Sequence, residues 1–496
     1  MWLSILEWTA AAIVILAALP LVVAAVQSLA ITFHDQHYLT DAQPYEPRVA
    51  VLIPAWNEAA VIPATIERML GVTYPANRLR VYIIDDASTD ETPAVMERML
   101  QLYGDRVIHI RRENGGQGKA HTLNAGLEQV LADDWAQAIL ITDADVLFTP
   151  ESIARMARHF NDPSIGAVTA YVKEGSQPAR YVNRYIAYEY VTAQAVARRA
   201  MNMLDAQACL AGGAQLHRRE NLEAIGGRID TTTLAEDTVT TFETQLGGRR
   251  VVFEPHAEVY AEEPEGVRAL WGQRVRWGRG NFQVSRRYKW LWFHKKRHPR
   301  LGGFRFGISW FVVLLQPFLL IASSASLLFL YFVDAEIQFA VFRMLWILNG
   351  IVYVIIIFGA RAADPQTVRR TWKEAMMFPG IVSMVLVFYS VFPEVFRQLG
   401  VWANQQLQLS AGVSAAIGVS LAVFTYSWLT LSMLVAYLGK VVEKFRYGGK
   451  QLAAVLVTIG GYGSLLCTVT LAAVVAELSG RKQVWVKTEK KGKVAI

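Results

Sequence analysis

Residues 9 to 33 read TAAAIVILAALPLVVAAVQSLAITF, uncharged up to a His-containing exit and long enough to cross a bilayer. Inside hydrocarbon the backbone must satisfy its own polar groups, so a run of this kind is helical. It lacks a basic leading region and its apolar stretch is too long for a cleaved signal peptide, so it is expected to remain in the protein. Residues 306–332 and 339–358 repeat the signal, and 413–438 and 451–477 are also long enough to span. Residues 375–397 are apolar, but Pro379 and Pro393 bracket a short core, leaving a span, a re-entrant segment or a flat-lying one open. Between residues 45 and 300 no comparable run exists. The expected plan is an N-terminal transmembrane helix and linker (1–44), a globular domain (45–270), amphipathic interface helices (271–305), a C-terminal transmembrane block (306–480) and a basic tail (481–496).

The chain of 496 residues carries a formal net charge of +7. Its densest basic stretch, RRYKWLWFHKKRHPR at 286–300, interleaves cations with Trp290, Trp292 and Phe293. Such a stretch can bind single-stranded nucleic acid. Immediately before a transmembrane run, an anchor at the cytoplasmic membrane face is the better reading, so no nucleic-acid partner is expected. The positive-inside rule then puts the globular domain in the cytoplasm. The rule does not settle the C-terminal end. The loop KVVEKFRYGGK (440–450) and the tail RKQVWVKTEKKGK (481–493) are both basic with one span between them. The heavier charge of the tail favours tail inside and 375–397 not crossing. Only Cys209 and Cys467 are present, one of them in an apolar span, which excludes a disulfide framework.

Within the globular domain, RVAVLIPAW (48–56), RLRVYIIDDA (78–87), RVIHI (106–110) and AQAILITDAD (136–145) are short, β-branched-rich runs of strand length. Segments of helical spacing lie between them, NEAAVIPATIERML and TDETPAVMERMLQLY among them, the second opening on an N-cap-like cluster. Alternating strands and helices predict an α/β domain, a mostly parallel sheet with helices on both faces. In such sheets ligands bind beyond the carboxyl ends of the strands. Asn57 and Glu58, Asp85 and Asp86, and Asp143 and Asp145 all fall there.

TDADV sets Asp143 and Asp145 on the same side of an extended segment. Converging carboxylates call for a cation, and hard oxygen ligands suit Mg²⁺ or Mn²⁺ completed by diphosphate oxygens; an Asp-rich turn is the plain alternative. Asp85 and Asp86 follow a buried-looking VYII and can accept hydrogen bonds from a nucleobase or ribose, whereas Ser88 and Asp90 read as turn and N-cap chemistry. ENGGQGKAHTLNAG (113–126) is a Gly-rich loop entering a helix, with Lys119 near the helix start. Its spacing is not that of a P-loop, but a helix N-terminus with flexible backbone can cradle a diphosphate. TLAEDTVT supplies Glu236 and Asp237 before a helical stretch, where a carboxylate can serve as general base or simply cap the helix. In WGQRVRWGRGNFQ (271–283), helical spacing gathers Gln273, Arg276 and Trp277 on one face; taken alone, this is also what an interfacial helix looks like.

Taken together and in order, DDAST, TDAD, AED and QRVRW resemble the processive, membrane-integrated family 2 glycosyltransferases: the cellulose, hyaluronan, chitin-oligosaccharide and poly-N-acetylglucosamine synthases. The resemblance covers motif detail over about residues 48–300 and only layout elsewhere. It implies a GT-A-like fold, a UDP-sugar donor, a growing polysaccharide acceptor, a Mg²⁺ or Mn²⁺ cofactor and accessory secretion subunits. It also implies site roles. Pro54, Asn57, Glu58, Asp85 and Asp86 would hold the donor nucleotide, with Lys119 near its diphosphate. Asp143 would bind donor and metal, and Asp145 metal. Asp237, with Glu236 beside it, would be the catalytic base. Gln273 and Arg276 would meet the donor, and Trp277 would stack the acceptor sugar. CLAGGAQLHRR (209–219) would line the acceptor site, with Gly212 and Gly213 at its centre. AED and LWGQRVRWGRGN are most like those of poly-N-acetylglucosamine synthases. The implied activity is inverting, metal-dependent polymerisation of a UDP-sugar, UDP-N-acetylglucosamine on that likeness, with export of the chain at the plasma or inner membrane. Transfer of a single sugar to a membrane lipid is the first alternative, and a hyaluronan-like copolymer or glucan synthase the second. No regulatory domain is expected after the membrane block. That disfavours a cellulose synthase carrying its own sensor, and the C-terminal apolar segments exceed the expectation for chitin-oligosaccharide synthases.

Overall fold

The computed structural model describes residues 2–38, 43–481, 490 and 492–494; residues 39–42 of the expected linker, and 482–489, 491 and 495–496 of the expected tail, lie outside the described residues. The chain forms two compact units, one of Met1–Leu29, Gly266–Gly278 and Ile308–Gly480, the other of Ala30–Glu265, Arg279–Gly307 and Arg481–Ile496.

The second unit is built on a sheet. All four apolar runs become strands: β1 (Val49–Ala55), β2 (Leu79–Asp85), β3 (Val107–Arg111) and β4 (Ala138–Thr142). They pair in parallel in the order β3-β2-β1-β4. The intervening helices bury one stripe each. Ile62, Ile66 and Met69 do so in Ile62–Leu70, and Val95, Met96 and Met99 in Thr92–Tyr103. Four further strands complete the sheet: β5 (Val146–Phe148), β6 (Ile165–Glu174), β7 (Ala214–Arg218) and β8 (Arg250–Ala261). The full order is β3-β2-β1-β4-β7-β6-β8-β5. Because β7 runs antiparallel to both β4 and β6, and β5 antiparallel to β8, the sheet is mixed, with its parallel half at the β1–β4 end. β8 tolerates Pro255 because its pairing with β6 jumps there from Glu254 to Glu258, so no ladder N–H is demanded of the proline.

The first unit is helical. Among the described residues, Trp2–Ile31, Phe304–Val333, Ala335–Ala363 and Ala411–Val442 are each long and apolar enough to cross a membrane. Leu327, Leu330, Phe342, Trp346, Leu386, Tyr426 and Trp428 pack together with Ala10 and Val14 at its core. Polar side chains cap and tie the helices. Asp334 accepts from the amides of Glu336 and Ile337, and the Trp428 indole donates to Ser383 Oγ at 3.0 Å.

Two of the apolar segments are bent. Residues 451–477 are not one straight span: Gly449–Gly460 and Tyr462–Leu478 meet at 96°. Gly461 turns the chain with φ +97°, and a Cβ there would lie 2.6 Å from the Pro379 carbonyl, so only glycine fits. Residues 375–397 break as well. Ile381–Val391 and Pro393–Leu407 meet at 101°, with Pro393 opening the second helix where its missing N–H costs nothing.

Candidate active site

The antiparallel pairing of β7 with β4 builds the heart of the site. Thr142 is opposite Ala214, so the residues just after β4 face those just before β7. Asp143 therefore lies beside Gly213, and the Thr142 hydroxyl donates to the Gly213 carbonyl at 2.7 Å. Lys119, first residue of the Lys119–Ala132 helix, reaches Asp143 Oδ1 at 2.5 Å and donates to the Gly212 carbonyl at 2.9 Å. A Cβ on Gly212 would sit 3.1 Å from Asp237 Oδ2 and 3.5 Å from Lys119 Nζ, so the missing side chain keeps open the space between acid and ammonium. Burial opposes the charge of Lys119, yet Asp143, Glu236 and Asp237 together hold its ammonium above the ordinary lysine range.

Glu236 and Asp237 open the Glu236–Leu246 helix, where the aligned peptide dipoles favour negative charge. Asp237 Oδ1 accepts the Thr238 amide at 2.7 Å and its other oxygen faces Gly212. The turn before this helix is fixed from behind. Leu234 donates its amide to Gln283 at 2.9 Å, and Gly280 lets the backbone at Ala235 approach to where a Cβ would lie 2.6 Å away. Cys209, beside Asp237 and Thr238, has its thiol pushed up by burial and by Asp237.

The ends of β1 and β2 form a second cluster. Asp85 is fully buried and accepts the Ser88 amide at 2.8 Å and Arg111 at 3.1 Å, with His109 3.6 Å away. Burial works against its charge, but His109, Ser88 and Arg111 outweigh it and hold the carboxyl below the usual carboxylate range. Asp86 accepts from Arg112 and, at 2.8 Å, from the Gly116 amide, which pins the Gly-rich loop to the strand end. Asn57, at φ +55°, accepts the Thr89 amide at 2.8 Å and donates its own amide to Ser88 Oγ. Glu58 donates its amide to Thr92 Oγ1 at 2.9 Å, and Pro54 sits half-buried in β1. Asp145 pairs with Lys490 at 2.6 Å. Burial opposes the charge of Lys490, and Asp145, Glu263 and Asp143 outweigh it and keep its ammonium above the ordinary lysine range.

Lys119, Asp143, Gly212, Gly213 and Asp237 thus come together, and Pro54, Asn57, Glu58, Asp85 and Asp86 line the neighbouring strand ends. Gln273, Arg276 and Trp277 belong to the helical unit, on one face of the Val267–Arg287 helix. Arg274 packs its guanidinium over the Trp277 ring at 4.1 Å and donates to Gln273 Oε1 at 2.5 Å. Glu443 caps that helix by accepting the amides of Val267 and Arg268 at 3.1 and 2.7 Å. Sequence reasoning missed Arg112 and Lys490. Arg112 had a usable signal, a cation directly after β3 at the ligand edge of the sheet. Lys490, lost in a basic run, had none.

The fold is GT-A-like: a mannosyltransferase, PcManGT of Pyrobaculum calidifontis, solved with GDP-mannose and Mn²⁺, superposes with a TM-score of 0.52 at 22% identity, covering 72% of this chain and 99% of that one. Residues 47–280 match glycosyltransferase-like family 2. That stretch is similar to family 2 glycosyltransferase domains, and the protein is a glycosyltransferase. The probable glycosyltransferase YdaM of Bacillus subtilis is 29% identical over 367 residues, 71% of this chain and 84% of its own. A β-monoglucosyldiacylglycerol synthase of Synechocystis is 28% identical over 249 residues, and a poly-β-1,6-N-acetyl-D-glucosamine synthase of Staphylococcus aureus 27% over 252. These two matches take in 50% and 51% of this chain, and 50% and 58% of the relatives' own lengths.

Proposed function

We propose that the protein is an inverting β-glycosyltransferase that polymerises a UDP-sugar, with UDP-N-acetylglucosamine as the donor, and passes the chain through its helical block. Its catalytic domain faces the cytoplasm. The observation that carries this reading is the meeting of Asp143, Lys119, Gly212 and Asp237 at the carboxyl edge of the sheet. Asp237 takes the proton from the acceptor hydroxyl as that oxygen bonds to the anomeric carbon. The bond from that carbon to the diphosphate breaks on the opposite side, so an α-linked donor gives a β-linked product. Lys119 supplies positive charge to the diphosphate as it leaves. Pro54, Asn57, Glu58, Asp85 and Asp86 shape the nucleotide site, Glu236 supports the base, and Gly212 and Gly213 leave room for the acceptor. Gln273 and Arg276 bind donor, and Trp277 stacks acceptor sugar.

A divalent cation of the Mg²⁺ or Mn²⁺ kind fits the donor set. Asp143 and Asp145 offer hard oxygens, and each already draws an ammonium to 2.5 and 2.6 Å. Among the described residues no three His, Cys, Asp or Glu side chains converge, so diphosphate and water have to complete the shell. When bound, the ion neutralises charge on the departing diphosphate.

A second reading, one sugar to a lipid acceptor, is supported by the similarity to the monoglucosyldiacylglycerol synthase, which matches this chain as well as the polymer synthase does. The deciding experiment is UDP release and product size from purified protein with Mn²⁺, across UDP-N-acetylglucosamine, UDP-glucose, UDP-galactose and UDP-glucuronate, singly and in pairs. High polymer from UDP-N-acetylglucosamine alone is expected. Release only with added lipid, one sugar per acceptor, hands the case to the second reading, and a two-donor requirement to a copolymer.

A further inference from the structure

The described C-terminal residues close onto the acidic side of the site. Lys490 sets its ammonium 2.6 Å from Asp145 Oδ2 and donates to the Glu262 carbonyl. Gly492 and Lys493 both donate their amides to Glu262 Oε2, at 2.9 and 3.3 Å. Lys493 also accepts the Gln177 amide at 2.6 Å, and Val494 forms an antiparallel bridge with Ser176 beyond the end of β6. A Cβ on Gly175 would fall 2.7 Å from Val494 Cγ1, so the strand end is cut to receive this segment. Backbone bonds, side-chain bonds and an ion pair all fix the same few residues.

The pairing has a consequence for charge. Asp143 and Asp145 carry two negative charges, and Lys119 and Lys490 supply two positive ones. A divalent ion of the Mg²⁺ kind on Asp145 needs a carboxylate oxygen at about 2.0–2.1 Å, inside the space the Lys490 ammonium occupies. Two cations crowded on one carboxylate repel strongly in a partly dry site. One ammonium has to leave. Lys119 is rooted in a helix and bonded to Gly212, whereas Lys490 lies outside any helix or strand and its neighbours are held through Glu262, Gln177 and the bridge at Val494. We propose that Lys490 is a tethered stand-in for the metal: with residues 490 and 492–494 docked, the cation is kept off Asp145, and metal with nucleotide displaces Lys490, so that release of these residues and site loading are one equilibrium. This rests on the metal-dependent reading above.

The test uses the full chain in detergent. Mn²⁺ binding in the presence of UDP is followed by the electron paramagnetic resonance of free Mn²⁺, for the unaltered protein, Lys490→Met and Lys493→Met. Lys490→Met is expected to bind Mn²⁺ about tenfold more tightly, the gain if residues 490 and 492–494 are docked in about nine molecules of ten. Lys493→Met, which leaves the Asp145 pair intact and removes only a longer, partly exposed pair with Glu265 at 3.7 Å, is expected to tighten binding by less than about twofold. Independently, hydrogen exchange of the unaltered protein should quicken in peptides holding 176–177 and 492–494 when Mn²⁺ and UDP are added. Mn²⁺ binding of equal strength in Lys490→Met, or exchange that stays the same or slows, overturns the inference alone. Absence of Mn²⁺ binding in all three proteins overturns the metal reading and this inference together.

Discussion

The two units use polar side chains for opposite ends. In the sheet unit, Asp85, Asp86, Asp143 and Asp145 stand at strand ends and each meets a cation, Arg111, Arg112, Lys119 and Lys490 in turn. In the helical unit, Asp334, Asp364 and Glu443 are spent on capping helices, and apolar side chains such as Phe358, Leu421 and Trp402 face outward. Charge gathered at one edge prepares chemistry, whereas charge spread over helix ends with an apolar exterior suits a lipid surround. The difference lies in their partners: each strand-end carboxylate faces a cation, whereas those three acids of the helical unit accept backbone amides at helix starts.

That contrast can be broken at specific positions, starting with the largest effect. Asp237→Asn should cut turnover by about 10²–10⁴-fold while UDP binding persists. Turnover near normal, read by UDP release, would remove Asp237 as the base. Next, acid should unfold the sheet unit first. Glu254 is buried against Arg158 and His159; burial alone raises its pKa, but His159 and Arg158 outweigh it and bring it down to about 2. Its native pKa lies below the ordinary 4.5, so the pair stabilises the fold above pH 4.5 and is lost as pH falls from there through about 2. Thermal melts should show that loss, on the order of 3 kcal/mol, vanish in Glu254→Gln.

Two glycines sharpen the comparison further. Gly461→Ala forces a side chain into φ +97° against the Pro379 carbonyl and should destabilise the helical unit by about 1–3 kcal/mol without altering nucleotide affinity. Gly212→Ala does the reverse. Its methyl group lands 3.1 Å from Asp237 Oδ2, so turnover should fall about tenfold or more while the melting temperature holds. A Gly212→Ala protein that unfolds early would make that glycine architectural. Smallest is Arg274→Ala, which removes the cation stacked on Trp277 and should weaken acceptor binding by about 0.5–1 kcal/mol, read as a few-fold rise in KM for acceptor.

Much of the sheet unit could be read directly from the chain. β1 to β4 are short β-branched runs, and their parallel order puts Asp85 and Asp143 at one edge. β6 to β8 escaped notice because their pairing is long-range and interrupted, as at Pro255, where a proline reads as a break until the partner strand is known. Resemblance placed Gly212 at the acceptor site, but its approach to Asp237 is a tertiary contact that the local sequence does not signal.

The sequence by itself determined that helices long enough for a bilayer accompany an α/β domain, and which carboxylates crowd its strand ends, because hydrophobic length and side-chain periodicity are local properties. Only the tertiary structure decided that 451–477 bends at Gly461, that Glu443 caps the helix of Gln273 and Trp277, and that Lys490 lies on Asp145. Those outcomes depend on contacts between residues far apart in the chain, and no periodicity or composition encodes which distant carboxylate an ammonium will find.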